Sequence, residues 1–167
     1  MVYDPIHQRF RDTIRTYRQE DTMLIVADIM RRKGLAVVTA QPTLAVDALI
    51  SLLVDRGIGA AVVSTDGTHV EGIVSERDVV QALAAHGPQI LRSPVVDIAT
   101  RDVAVASPSD SLEEIMGVMT DRRFRHMPVV VDGALQGIVS IGDVVKARVS
   151  QLEMEQHALS TYITTGH

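Results

Sequence analysis

A nine-residue motif that occurs twice constrains the fold of this chain more than any other feature. GIVSERDVV at positions 72–80 returns as GIVSIGDVV at 137–145, and seven of the nine positions are identical. The similarity extends outward, since VVTAQP at 37–42 matches VAVASP at 103–108 and AAVVSTDG at 60–67 matches MPVVVDG at 127–133, with an offset of 65 to 67 residues. Self-similarity at a nearly fixed spacing indicates one structural unit present in two copies.

Both copies show the same order of secondary-structure patterns. A short Val-rich run ending in Pro predicts a strand, and an amphipathic helix, a strand, a turn, a strand and a second helix follow it. Asp66-Gly67 and Asp132-Gly133 each lie between two runs rich in Val or Ile, which favours a tight hairpin. The predicted fold class is therefore α/β (α+β), with two β-α-β-β-α repeats. One unit of about 60 residues buries too little surface to be stable alone, so we expect the two copies to pack together.

The repeats divide the chain into five segments. They are an N-terminal helical extension at 1–22, a first repeat at 23–85, a linker at 86–94, a second repeat at 95–150, and a C-terminal helix and tail at 151–167. The role of residues 1–22 stays open. Residues 144–163 resemble one long helix whose apolar stripe we expect to contact a partner subunit. The stripe consists of Val145, Val149, Leu152, Leu159, Tyr162 and Ile163.

Composition excludes several classes of protein. The chain has no cysteine, which excludes disulfides and zinc sites built on thiolates, and its 6 histidines form none of the i, i+4 pairs typical of metal ligands. A net charge of −5 disfavours binding to nucleic acid. No apolar run is long enough for a membrane span or a signal peptide, which predicts a cytoplasmic protein. Neither a Gly-x-Ser-x-Gly elbow nor a phosphate-binding loop of the Walker type occurs, so no enzymatic activity is predicted.

Several linked motifs together resemble a known family. VADIMRRKG, GIVSERD, RFRHMPVVVDG and GIVSIGDVVKAR are similar to the signatures of CBS domains, and the arrangement resembles small bacterial proteins that consist of little more than one pair of them. The resemblance implies that the two repeats pair about a pseudo-twofold axis, with two related ligand clefts between them, and that two such pairs often form a disc-shaped homodimer. It also implies an adenine-containing ligand (AMP, ADP, ATP or NADH), with no other cofactor required.

The resemblance also implies which residues bind the ligand. In the family pattern Gly-aliphatic-x-Ser/Thr-x-x-Asp the acid binds the ribose hydroxyls, which assigns that role to Asp78 and Asp143 and places a serine near the phosphate. Arg125 and His126 supply positive charge in the second repeat, whereas Ile58 and Gly59 occupy the matching positions in the first. One cleft is therefore expected to bind poorly. The candidate set is Thr39, Gly59, Ala60, Ser75, Arg77, Asp78, Val105, Ala106, Arg125, His126, Met127, Pro128, Ser140, Gly142 and Asp143.

Two functions remain open on the sequence alone. The first is a non-catalytic regulatory module that binds an adenine nucleotide and signals to an unknown regulated protein through a change of conformation or of dimer arrangement. The second is a structural or adaptor dimer without a nucleotide. An Asp at a helix start can also be a simple helix cap, although its recurrence in both copies favours the ribose role. On that basis we expect Asp143→Ala to abolish nucleotide binding and to leave folding nearly intact.

Overall fold

The structure is a computed structural model that describes residues 24–165, so the predicted extension at 1–22 lies outside the described residues. The described helices are α1 (Val26–Lys33), α2 (Val46–Arg56), α3 (Glu76–His86), α4 (Leu112–Asp121) and α5 (Ile141–Thr165), and two short 3-10 helices span Pro88–Arg92 and Val95–Asp97. The strands are β1 (Thr39–Ala40), β2 (Ala60–Val63), β3 (Gly72–Ser75), β4 (His126–Val131) and β5 (Ala134–Ser140).

The mixed α/β prediction is confirmed, and the order of elements follows the two repeats. The first repeat contains β1, α2, β2, β3 and α3, which is the complete β-α-β-β-α pattern. The second contains α4, β4, β5 and α5, and a single bridge residue, Ala106, stands where β1 stands in the first. None of the helices in the described part of the chain is long and apolar enough to cross a membrane.

An equivalent backbone hydrogen bond within each repeat shows which residues of the two repeats correspond. The N–H of Glu76 donates to the carbonyl of Gly59 at 3.0 Å, and the N–H of Ile141 donates to the carbonyl of Arg125 at 2.9 Å. Since β2 begins at Ala60 and β4 at His126, Gly59 corresponds to Arg125 and Ala60 to His126. The sequence match of Ile58 and Gly59 to these positions was wrong by one residue.

The two hairpins differ. Asp132 and Gly133 join β4 to β5 with φ angles of 50° and 80°, the left-handed conformation that a two-residue hairpin turn requires. The tight hairpin predicted at Asp66-Gly67 is wrong, because β2 and β3 are antiparallel but residues 64–71 separate them. Asp66 organises this longer loop by accepting the backbone N–H groups of Thr68 and His69 at 2.7 and 2.8 Å. Hydrogen bonds from His69, chiefly from its backbone, hold the pKa of Asp66 below its usual value.

The chain forms two compact units, and each unit combines parts of both repeats. Of the described residues, the first unit contains 24–34, Ala106–Met127 and 139–165. Within it, the start of α1 pairs with the segment before α4: Val26 donates to the carbonyl of Asp110, and Ala27 to that of Pro108, both at 2.9 Å. Val26 and Ala27 are completely buried, so the helix that opens the first repeat completes the core of the second.

The second unit contains Leu35–Val105 and Pro128–Ile138. Its sheet has the order β1-β2-β3, with β1 parallel and β3 antiparallel to β2. Helix α2 buries Val46, Leu49 and Leu53 against this sheet. Val95 donates to the carbonyl of Leu44 at 2.7 Å and Val96 to that of Pro42 at 3.1 Å, which repeats the pairing of α1 in the first unit. The opening segment of each repeat, α1 in the first and Val95–Asp97 in the second, therefore pairs with the other repeat.

Candidate functional site

The start of helix α5 holds Asp143 in a rigid hydrogen-bonded arrangement. Asp143 Oδ2 accepts the backbone N–H of Ser140 at 2.8 Å and the Ser140 hydroxyl at 2.7 Å, and the Ser140 Oγ accepts the N–H of Asp143 at 3.2 Å. The serine and the acid thus satisfy each other's backbone donors, as in a capping box. Gly142, which lies between them in the sequence, is exposed.

Lys33, the last residue of α1, also binds this carboxylate. Its Nζ donates to Asp143 Oδ2 at 2.6 Å, and the two side chains are 37% and 25% exposed. Burial is the largest single influence on Asp143 and would raise its pKa. The hydrogen bonds from Lys33 and Ser140 together outweigh it, so the pKa lies below its usual value. All hydrogen bonds that the described residues make to this carboxylate fall on Oδ2, and Oδ1 receives none.

Two basic residues of the second repeat lie at the same helix start. The carbonyl of Arg125 accepts the N–H of Ile141, the first residue of α5, which fixes the backbone of Arg125 beside Ser140 and Asp143. The Arg125 side chain is exposed, His126 is half-buried, and Met127 is buried within β4. We call Lys33, Arg125, His126, Ser140 and Asp143 the Asp143 site. All five residues belong to the first unit.

The corresponding residues of the first repeat form a less basic arrangement. Asp78 Oδ2 accepts the N–H and the hydroxyl of Ser75 at 2.7 and 2.6 Å, as Asp143 does from Ser140. Gly59 and Ala60 stand where Arg125 and His126 stand in the second repeat, and no lysine in the described chain is bonded to Asp78. Arg77 is exposed on the first turn of α3. We call Gly59, Ala60, Ser75 and Asp78 the Asp78 site, which belongs to the second unit.

The remaining predicted residues are placed by the strands and their flanks. Thr39 is half-buried in β1, where it pairs with Val62 of β2. Val105 is exposed, whereas the next residue, Ala106, is buried. Pro128 is buried in β4 and, with Val105, belongs to the second unit rather than to the unit that contains Asp143. The structure thus brings Arg125, Ser140 and Asp143 to one helix start, while Val105 and Pro128 are part of the second unit.

The pattern of a serine followed three residues later by an acid is not specific to the two predicted sites. Ser111 and Glu114 make the same hydrogen bonds at the start of α4, where the N–H and hydroxyl of Ser111 donate to Glu114 at 3.0 and 2.9 Å. Both bonds lower the pKa of Glu114, and the bond from the backbone of Ser111 has the larger effect. The pattern alone therefore makes a helix cap, and what distinguishes Asp143 is the cluster of basic residues around it.

Lys33 was missed by the sequence reasoning. It lies 110 positions before Asp143, in a basic run at 31–33 that any solvated helix end could carry. The contact of Lys33 with Asp143 could be predicted only once α1 is known to pair with the second repeat. Among residues 24–165, no cluster of His, Cys, Asp and Glu has the arrangement of a metal site.

Comparisons with known proteins identify relatives on both sequence and structure. The CBS domain family matches residues 19–85 and 95–150. The chain is 33% identical over 152 residues to a mitochondrial CBS domain-containing protein of Arabidopsis thaliana, CBSX3, covering 85% of this chain and 73% of that protein. It is 46% identical over 96 residues to a 33.4 kDa protein of Thermofilum pendens, but these cover 58% of this chain and 31% of that protein. The predicted cytoplasmic location stays a prediction.

Solved structures of similar fold cover most of the chain. The CBS-domain protein ATU1752 of Agrobacterium tumefaciens is 41% identical with a TM-score of 0.71, covering 74% of this chain and 98% of that one. PAE2072 of Pyrobaculum aerophilum, solved in complex with AMP, is 24% identical with a TM-score of 0.67, covering 80% and 99%, and at this identity it supports the fold alone. The chain belongs to the CBS domain family, because that family matches both repeats and the chain is 33% and 41% identical to the Arabidopsis and Agrobacterium proteins.

Proposed function

We propose that this protein is a non-catalytic regulatory module that binds an adenine nucleotide at the Asp143 site. The observation that carries the proposal is the Asp143 carboxylate, which is held rigid through Oδ2 with Lys33 bound to it and Arg125 at the same helix start, while Oδ1 receives no hydrogen bond from the described residues. A carboxylate oxygen in this state is a suitable acceptor for the hydroxyls of a ribose. The fold of PAE2072, which binds AMP, is consistent with an adenine-containing ligand.

The rest of the site suits the phosphate end of a nucleotide. Helix α5 begins at Ile141, and the first turn of a helix presents backbone N–H groups and a partial positive charge. The guanidinium of Arg125 and the imidazole of His126 lie in the adjoining segment and offer hydrogen-bond donors to an anion. Glu114 has the same capping geometry in the described chain but adjoins no such residues, so we assign it no ligand.

The two sites are proposed to differ in occupancy. Gly59 and Ala60 supply no side-chain donor in the Asp78 site, whereas Arg125 and His126 supply several in the Asp143 site. We therefore expect one nucleotide per chain at low ligand concentration, bound at the Asp143 site. Binding there would order the first unit and favour one conformation of the protein, which is how such a module would signal.

An exposed apolar stripe on α5 supports association with a second copy. Val145, Val149 and Leu152 recur at helical spacing and are 47%, 48% and 48% exposed, although each would normally gain stability from burial. The stripe predicted from sequence continues to Leu159, Tyr162 and Ile163, whose side chains lie outside the described part. A homodimer that buries this stripe is expected to become monomeric on Val149→Asp, as measured by light scattering coupled to size-exclusion chromatography.

The same stripe favours a second candidate function. A dimeric adaptor would use α5 for association and would require no nucleotide at either site. Calorimetric titration separates the two functions, because a module that senses nucleotides binds AMP, ADP, ATP or NADH and an adaptor binds none of them.

The decisive experiment compares three acids that cap helices. Asp143→Ala is expected to abolish binding of the preferred nucleotide. Glu114→Ala removes an equivalent cap at the start of α4 and should leave the affinity unchanged, which controls for loss of helix stability. Asp78→Ala should reduce only the weaker binding event. Equal loss of affinity in the Asp143 and Glu114 variants would remove Asp143 from the ligand site.

A further inference from the structure

The contact between Lys33 and Asp143 adds a cation to the site that neither repeat supplies from its own sequence motif. Lys33 ends α1, and its ammonium lies 2.6 Å from the oxygen that also caps α5. Both side chains are partly exposed, at 37% and 25%, so a ligand from solvent can reach this pair. The contact therefore lies where the proposed ligand would approach the carboxylate.

The charge of Asp143 creates a conflict that a nucleotide site must resolve. A carboxylate suits the ribose, but its negative charge repels the phosphate attached to that ribose. An ammonium in contact with the carboxylate cancels most of this repulsion and offers a charged donor to the phosphate. The formal charge of Lys33 thus balances that of Asp143.

The Asp78 site shows the arrangement without this cation. Asp78 makes the same two bonds to Ser75, and its hydrogen bonds in the described chain come from that serine alone. The segment that corresponds to the start of α1 is the 3-10 helix Val95–Asp97, which ends far sooner than α1 does. After it the chain turns to pair Thr100 with Ile73 of β3, so this segment places no lysine on Asp78.

We propose that Lys33 is a specificity-determining residue, which makes the Asp143 site select phosphorylated adenosine over adenosine itself. This inference rests on the proposed binding of an adenine nucleotide at that site. It assigns a role in ligand choice to α1, which lies outside the two repeated motifs. The Asp78 site, without such a residue, would discriminate little between a nucleotide and a nucleoside.

The test measures AMP and adenosine separately by calorimetric titration of the full chain at low ionic strength, where charge interactions are screened least. Lys33→Gln removes the charge and keeps a hydrogen-bond donor on a side chain one atom shorter. We expect AMP to bind this variant about tenfold more weakly, since one charged hydrogen bond is lost, while adenosine binding changes by less than about twofold. Because the ion pair is partly exposed, the variant should fold normally.

Arg32→Gln is the matched control, since it removes the same charge from the adjacent, exposed residue of α1. We expect it to retain the preference for AMP. The inference is overturned if Lys33→Gln leaves AMP binding unchanged, if it weakens AMP and adenosine equally, or if Arg32→Gln has the same effect. Wild-type protein that binds neither compound would instead refute the proposed function, and the inference with it.

Discussion

Replacing Asp143 with alanine should destabilise the protein even when no ligand is present. The substitution removes the acceptor of the Ser140 N–H and hydroxyl and leaves Lys33 without its carboxylate. Loss of a helix cap costs about 1 kcal/mol, and loss of a partly exposed ion pair costs at most about 1 kcal/mol more. The free energy of unfolding should therefore fall by about 1 to 2 kcal/mol.

Asp78→Ala provides a comparison within the same protein. It removes the equivalent cap of α3 but no ion pair, so it should cost only about 1 kcal/mol, and the difference between the two variants measures the contribution of Lys33. Urea and thermal unfolding at pH 7 without nucleotide would measure both variants. For a chain of this length we expect the melting temperature of Asp143→Ala to fall by roughly 2 to 8 °C. A midpoint equal to that of the wild type would refute the capping role.

Three further predictions concern stability. Because the pKa of Asp143 lies below its usual value, the stability that this residue contributes should be complete above about pH 4 and lost as the pH falls further, so the difference between wild type and Asp143→Ala in urea should shrink as the pH is lowered below about 4. Gly133→Ala should destabilise the protein by about 1 kcal/mol because the φ angle of Gly133 is +80°. Gly117→Ala should instead stabilise it by up to about 1 kcal/mol, because Gly117 lies within α4 and a Cβ there would meet nothing within 4 Å. Opposite shifts in the melting temperatures of the two variants would confirm this, and shifts of equal sign would contradict it. Leu49→Ala should cost about 2 to 5 kcal/mol in urea unfolding, since Leu49 is completely buried, and a cost below about 1 kcal/mol would show that the core is less tightly packed than described.

The sequence predicted the parts of the fold that depend on neighbouring residues. The repeated motif located β3 and α3 as well as β5 and α5, and Asp132-Gly133 identified a hairpin, because each signal lies within a few residues. The same turn signal failed at Asp66-Gly67, where the Asp66 side chain bonds the backbone ahead of it and a longer loop forms. Local chemistry there permits two outcomes, and the sequence does not distinguish them.

The sequence predicted only those residues of the candidate site that belong to a local motif. Ser140 and Asp143 are three residues apart, and Arg125 belongs to a recognisable motif, so all three were found. Lys33 depends on the pairing of α1 with the segment before α4, which no local pattern encodes. The register error beside Gly59 arose because the repeats differ in length between their strands, so matched sequence motifs did not fix the residues between them.

The pairing of each leading segment with the opposite repeat also bears on how the chain folds during synthesis. Helix α1 leaves the ribosome at the start of the first repeat, yet its partners at Pro108 and Asp110 follow only after the rest of that repeat has been made. Contacts between distant residues form slowly because a long loop must close, and apolar surface exposed meanwhile favours aggregation. Val26 and Ala27 must stay exposed, or bind a chaperone, until the second repeat emerges. The Asp143 site, whose lysine and aspartate lie 110 positions apart, would then be among the last features of the molecule to form.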